Sequence, residues 1–398
     1  MTMSTSSPRS SAAVSRGAAL LLIVAIVLVA LNLRPALTSI GPLLGTVSAA
    51  LGLDSATASL VTTLPVMCLG LFGPAAPMLA RRIGVPAAAV VALVMIAVGV
   101  VLRGFFGPTG LFAGSLLGGA GIGIAGVLLP GVVKQAFPDK AGLLTGIYTM
   151  ALCGGAAIAA GVTAPIAEAS GSWAVALGVW AIPALLAAAV WWPAARHLDT
   201  RAGHRPNTGT RLLTSPLAWS ITLFMGLQSS LAYSVFGWLP SILQDRGVSV
   251  VMSGLVVSVS LLVQTISALF VPVLAARRRN QQLWVLAIMV CTISGMLGMM
   301  WGPVATMWPW AVVLGIGQGG CFALALVMIV LRSGDAMTAA RLSGMAQSVG
   351  YTLAALGPLA IGLIHELTGG WSLVAWLLSG IGLVALVNGL IAARDRTL

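Results

Sequence analysis

The chain has 398 residues, of which 59% are hydrophobic and 7% charged, far below the ~25% charge of a soluble globular protein. It reads as an all-α polytopic membrane protein that partners a lipid bilayer. The net charge of +12 invites a nucleic-acid role, but the basic residues punctuate apolar runs instead of forming one face, and no recognised binding motif accompanies them. Nucleic acid is excluded on that ground. Cys68, Cys153, Cys291 and Cys321 lie inside apolar runs without metal-ligand spacing, so they are expected to pack as small hydrophobes, with no metal and no other cofactor.

Residues 1–17 are Ser-rich and basic and form a cytoplasmic tail. The first apolar run is too long for a cleavable signal peptide and lacks a small-residue cleavage site. Twelve spans follow, at about 18–48, 57–81, 85–106, 109–136, 141–168, 172–192, 216–244, 249–276, 282–301, 305–332, 338–366 and 370–393. The longest connection, 193–215, carries Arg196, His197, Arg201, His204, Arg205 and Arg211. It separates an N-terminal six-helix bundle, 18–192, from a C-terminal one, 216–393, with a cytoplasmic tail at 394–398. With both termini inside, every Lys and Arg except Arg34, Arg103 and Arg246 falls in a cytoplasmic segment, as the positive-inside rule requires. Eleven spans would break that alternation.

The first span contains the decisive residue. About 20 apolar residues cross a bilayer, so a span starting at Ala18 places Arg34 near the midplane. A charge there costs roughly 2.5–3.5 kcal/mol on insertion scales, and arginine does not shed its proton to escape. It needs a water-filled cavity, a partner or an anionic or polar ligand. Pro35 removes a backbone donor and loosens the helix beside it. A ligand-facing Arg34 is expected. The alternative is a structural arginine bonded to carbonyls freed near Pro35. Thr38, one turn on, shares its face.

The halves echo each other. LGLFGPAAPMLARR (69–82) resembles QTISALFVPVLAARR (264–278), Pro77 matching Pro272 and Arg81–Arg82 matching Arg277–Arg278. The same shift maps Arg34 onto Ser229. Two parallel six-helix halves with a site between them at mid-depth are the repeat plan of major facilitator transporters. Glycines in 115–131, 146–161 and 315–320 recur at three- and four-residue spacing, which lets helices approach closely. GAGIG is no dinucleotide loop, since no strand precedes it.

All eight carboxylates, Asp54, Asp139, Glu168, Asp199, Asp245, Asp335, Glu366 and Asp395, fall at span ends or in loops. If the carrier is proton-coupled, His365 and Glu366 at the outer end of the eleventh span are the best relay. Otherwise the solute's own charge carries the electrochemistry. Mid-depth polar residues concentrate in the second half: Gln228, Ser229, Ser230 and Tyr233, then Gln264, Gln318, and Gln347 with Tyr351 four residues on. The expected substrate-binding set is Arg34, Thr38, Gln228, Tyr233, Gln318, Gln347 and Tyr351, with Trp238 as a wall. Lys134, Arg332 and Arg103 are expected to be anchors or gate residues at span ends.

The loop between the second and third spans carries a degraded form of the Gly-x-x-x-Asp-Arg-x-Gly-Arg signature, with Arg81 where the Asp would stand. Three stretches, 31–44, 121–149 and 317–371, resemble the cyanate/2-nitroimidazole transporter (CynX/NimT-like) family of major facilitators. Asn32–Arg34–Pro35 and Gln347–Tyr351 are similar to that family's motifs. The resemblance implies an inner-membrane carrier for a small anion such as cyanate or for nitroimidazole-like compounds, and a monomer. A delocalised planar guanidinium suits either solute. The expected function is secondary active or facilitative transport by alternating access. An exporter of drugs or metabolites with the same fold is the alternative, and a membrane-embedded receptor or assembly subunit is disfavoured for want of a soluble signalling domain. No nucleophile–base or metal cluster at mid-depth supports an enzyme.

Overall fold

The computed structural model describes residues 16–137, 140–195, 212–334 and 336–398. The expected N-terminal tail and central linker fall largely outside these, as do Asp139, Asp199 and Asp335, and of the Lys134 side chain nothing is described. Regular structure among the described residues is helical throughout. The N-terminal half contains α1 (Arg16–Asn32), α2 (Pro35–Thr38), α3 (Ile40–Leu51), α4 (Ser55–Phe72), α5 (Ala75–Ile83), α6 (Val85–Phe105), α7 (Gly107–Ala136), α8 (Ala141–Ser170), α9 (Trp173–Gly178) and α10 (Ala181–Ala195). The C-terminal half contains α11 (Pro216–Asp245), α12 (Val250–Ala276), α13 (Gln282–Trp301), α14 (Met307–Leu331), α15 (Ala336–Ala354), α16 (Leu356–Thr368) and α17 (Ser372–Ala392).

Local chemistry sets the boundaries. Asp54, Ser172, Ser215 and Ser249 accept bonds from the first-turn amides of α4, α9, α11 and α12, which supplies partners to donors the helix leaves unpaired. Gly52, Gly171 and Gly369 end α3, α8 and α16 in the left-handed region that glycine enters without penalty. Several spans are interrupted: α1–α2–α3, α4–α5, α9–α10 and α15–α16 are each one crossing in two or three pieces.

Among the described residues, 11 segments are long and apolar enough to cross a membrane. The twelfth crossing, α11, is 30 residues long, enough for roughly 45 Å of helix. Its buried face carries Gln228, Ser229, Ser230, Tyr233 and Ser234, and these polar groups lower its hydropathy. The helix is central to the molecule instead of facing lipid.

Each half packs as its own bundle, α6 on α7 and α1 on α8 and α10 in the first, α12 on α14 and α11 on α15 and α17 in the second. The halves meet where α8 crosses α12, where α4 crosses α15 and α16, and where α3 crosses α11. The two ends of the bundle differ in charge, apart from Asp395 among the basic residues and Arg103 and Arg246 among the acidic ones. Arg81, Arg82, Arg277, Arg278, Arg279, Arg332, Arg394 and Arg396 lie at one end, and Asp54, Glu168, Asp245 and Glu366 at the other. These are called the basic end and the far end below.

Contacts between the halves gather towards the far end. Gln244 Nε2 donates to the Pro42 carbonyl at 3.0 Å, Ser258 Oγ to the Ala157 carbonyl at 2.8 Å, and the Ser55 amide to Glu366 Oε2 at 2.8 Å. Gly41 and Gly362 make close approaches: a Cβ at Gly41 would fall 2.2 Å from the Phe236 carbonyl oxygen, and one at Gly362 2.2 Å from Ser59 Cβ. On the basic side of this seal a cavity of about 270 Å³ opens between α8, α12 and α14, its walls including Thr145, Met150, Cys153, Leu269, Phe322 and Leu326. The halves are therefore closed at the far end and apart toward the basic end.

Arg332 is an anchor in fact. Buried at the end of α14, it donates to the Ala392, Ala393 and Arg279 carbonyls and to Gln281 Oε1, and lies 3.9 Å from Asp395. Its bonds tie the basic end of the second half together.

Candidate functional site

The break in the first span follows from its sequence. Pro35 has no N–H, so the Leu31 carbonyl loses the donor that a continuous helix would bring to it. Gly155 of α8 sits directly over that carbonyl, where a Cβ would lie 2.0 Å from the oxygen. Below the break Asn32 Nδ2 donates to the Leu28 carbonyl at 2.8 Å and to the Pro183 carbonyl of α10 at 3.1 Å. Above it the Thr38 hydroxyl lies 3.2 Å from the Arg34 carbonyl and 3.1 Å from the Ala156 carbonyl. The ends of the break are thus braced on α8 and α10, and Arg34 projects from the gap.

The Arg34 guanidinium points into an aromatic frame contributed by the other half. Its central carbon lies 5.6 Å from the Tyr233 ring centre and 5.7 Å from that of Phe236, both on α11, and 5.9 Å from that of Phe322 on α14. Such contacts contribute from ~0.5 to about 2 kcal/mol each as water is excluded. Tyr351 of α15 meets Tyr233 edge to face at 6.1 Å. Two of the three tyrosines of the chain, Tyr233 and Tyr351, therefore border one chamber. Arg34 is half-buried, and its side chain makes no hydrogen bond or ion pair to any described residue. A guanidinium held by ring faces keeps its N–H donors available. The chamber adjoins the cavity through Phe322, whose ring faces Arg34 and which lines the cavity together with Cys153.

The expected residues divide into those the fold brings to this chamber and those it does not. Arg34, Tyr233 and Tyr351 converge. Gln318 lies one turn from Phe322 on α14, buried, with its Nε2 unpartnered. Gln347 lies one turn from Tyr351 and donates to Ser343 Oγ at 2.9 Å. Gln228 is buried and spends its amide on the Met225 carbonyl and Ser229 Oγ. Thr38 is buried, with its hydroxyl against the two carbonyls named above. His365 and Glu366 lie elsewhere, roughly 20 Å along the helix axis from Tyr351. There His365 stacks on Trp371 at 4.0 Å, Trp371 Nε1 donates to Asp245 Oδ2, and Glu366 accepts the α4 amide across the halves. Trp238 belongs to this far-end group, edge-on to Trp371 and bonded to the Pro358 carbonyl, and is not a chamber wall.

Phe236 and Phe322 escape sequence reasoning. An aromatic residue in an apolar span carries no mark of facing a cavity. Only Phe236, three residues beyond Tyr233 and so on its face of α11, offered a signal.

Residues 20–355 match the model of the Major Facilitator Superfamily. The chain is 38% identical over 377 residues, 94% of each chain, to the uncharacterized transporter YycB of Bacillus subtilis. It is 34% identical to the 2-nitroimidazole transporter of Escherichia coli, over 95% of this chain and 96% of that one. It is 32% identical to the cyanate transport protein CynX of the same organism, over 92% and 95%. Among solved structures it superposes on a D-xylose-proton symporter with a TM-score of 0.74 at 14% identity, covering 96% of this chain and 99% of that one. It also superposes on a bacterial homolog of the human lysosomal transporter Spinster, inward-facing and unoccupied, with a TM-score of 0.69 at 16% identity, covering 95% and 96%. At these identities the structural likenesses concern the fold alone.

Proposed function

Given that the chain belongs to the major facilitator superfamily and is a multi-pass membrane transporter, we propose that it moves a small anionic or nitro-bearing solute across the cytoplasmic membrane by alternating access, with Arg34 holding the solute. One observation carries this reading: a mid-span guanidinium with no acceptor among the described residues, framed by Tyr233, Phe236 and Phe322. A planar anion or a nitro group takes two parallel N–H bonds from such a fork. The phenols of Tyr233 and Tyr351 and the unpartnered amide of Gln318 supply further donors at the rim. The names of two relatives, transporters of 2-nitroimidazole and of cyanate, are consistent with that chemistry.

Placing the basic end in the cytoplasm makes the conformation inward-facing, with the solute path running from Arg34 through the cavity. Rocking of the halves would part α3 from α11 and α4 from α16 and close the basic end, exposing Arg34 to the other side. Among the described residues no carboxylate lies within the middle of a span. The driving force is then the solute's own gradient and charge, unless His365 and Glu366 relay protons at the far end. One feature supports export of apolar drugs or metabolites as a second reading: Met150, Leu269 and Leu326 give the cavity largely apolar walls.

Thermal unfolding of the purified protein in detergent tests the proposal with cyanate, nitrite, nitrate and 2-nitroimidazole. A ligand at 100 times its Kd stabilises the folded state by about 2.7 kcal/mol. A rise in Tm with at least one compound, lost in Arg34→Ala, is the expected result. No rise with any of them would remove the small-anion reading and favour export.

A further inference from the structure

Arg103, in the last turn of α6, is expected from the sequence to be an anchor or gate residue; its side chain turns inward and is 2% exposed. Its Nη1 donates to the Ala36 carbonyl. Its Nε and Nη2 are buried without a partner, and no described carboxylate pairs with it. The bare backbone of Gly114 on α7 makes room for it, since a Cβ there would fall 2.8 Å from Arg103 Cγ. Burying a charge costs several kcal/mol even after relaxation, and a single bond to a carbonyl returns only part of that. An apolar side chain would pack this position at lower cost, so its stability contribution does not account for Arg103.

Its position suggests a different role. Ala36 is the second residue of α2, the four-residue turn that starts at Pro35 and ends at Thr38. Whatever holds the Ala36 carbonyl sets the rotation of α2 about its axis, and with it the direction in which the adjacent Arg34 leaves the chain. We propose that Arg103 is a positioning residue: it fastens α2 in the broken register and so keeps Arg34 aimed at the chamber. Without it, α2 is free to wind toward α3 and swing Arg34 away from Tyr233 and Phe322. The inference rests on Arg34 being the solute-holding residue.

The test uses full-length Arg103→Met and Arg103→Lys, each beside wild type. The first readout is affinity for whichever anion stabilises wild type. The second needs no ligand: Cys153 lines the cavity together with Phe322, whose ring faces Arg34, so in a background with Cys68, Cys291 and Cys321 replaced by serine, the ratio of its reaction rates with an anionic and a neutral methanethiosulfonate reports the guanidinium's location. Loss of one charge-assisted bond predicts an affinity drop of roughly tenfold or more in Arg103→Met, a smaller drop in Arg103→Lys, and a fall in the rate ratio in both. Wild-type affinity and rate ratio in a folded variant would overturn the proposal. If Arg103→Met does not fold, Arg103→Lys decides alone by the same two readouts. If wild type binds no anion, the small-anion reading fails, and the rate ratio still judges Arg103.

Discussion

The first and seventh spans occupy corresponding places in the two halves, yet one is cut at mid-depth and the other runs unbroken. In α1–α3 the chain stops, turns through Leu33 and Arg34, and restarts at Pro35. In α11 it continues for 30 residues. The residues at the matching positions explain the difference. Ser229 and Gln228 are neutral and short enough to be satisfied within their own helix, Gln228 bonding to Met225 one turn back and to Ser229 beside it. The break itself comes from Pro35, which brings no N–H to the Leu31 carbonyl, whereas the matching position in α11 is Ser230, which keeps its N–H. Opening the helix gives Arg34 room to project, and α11 returns the faces of Tyr233 and Phe236 to meet it. One half supplies the charge and the other the frame, so a repeat built from similar halves has an asymmetric centre.

A charge transplant is the harshest way to break this comparison. Arg34→Ser combined with Ser229→Arg keeps composition and net charge, but places the guanidinium on an unbroken helix whose position 229 is buried. Uptake by this double variant should be undetectable. Activity near wild type would mean that only the presence of a mid-depth charge matters. The second test concerns the far-end seal between the same two spans. Gly41→Ala places a methyl 2.2 Å from the Phe236 carbonyl oxygen, and overpacking of this kind costs about 1–3 kcal/mol. The variant should shift toward the outward-open state, read as faster labelling of cysteines placed along α3, and labelling no faster than in wild type would contradict it. The smallest effect expected is from Glu366→Ala, which removes a carboxylate capping α4 from across the halves. The cap should contribute about 1 kcal/mol to closure, seen as a modest shift in the same labelling assay. Unchanged labelling would assign Glu366 no part in the seal.

Much of this was legible in the sequence, and the boundary has a physical cause. Hydropathy and the Lys and Arg distribution located the spans, and even α11, whose polar face lowers its apolar signal, was required by the alternation of basic loops. Arg34 stood out because a charge at mid-depth has few explanations. Tyr233 and Tyr351 stood out as rare polar groups in apolar runs, and the structure brings both to the chamber. Phe322 and Phe236 did not, since an apolar ring looks alike whether it fills a core or frames a cation. Depth read from sequence misled for Trp238, and for Arg103 it gave the helix end but not the direction of the side chain. A long side chain near a helix end can turn inward, and only coordinates reveal that Arg103 reaches the Ala36 carbonyl or that Trp238 bonds to that of Pro358.

The central claim, that Arg34 holds the solute by the geometry of its fork, is tested most directly by solute flux in proteoliposomes containing wild type, Arg34→Lys or Arg34→Ala. The solute is whichever compound stabilises wild type. Arg34→Ala should abolish flux, and Arg34→Lys, which keeps the charge but loses the planar pair of donors, should lower it by roughly tenfold or more. Near-wild-type affinity and flux in Arg34→Lys would contradict a bidentate role. Near-wild-type flux in Arg34→Ala would contradict the claim altogether.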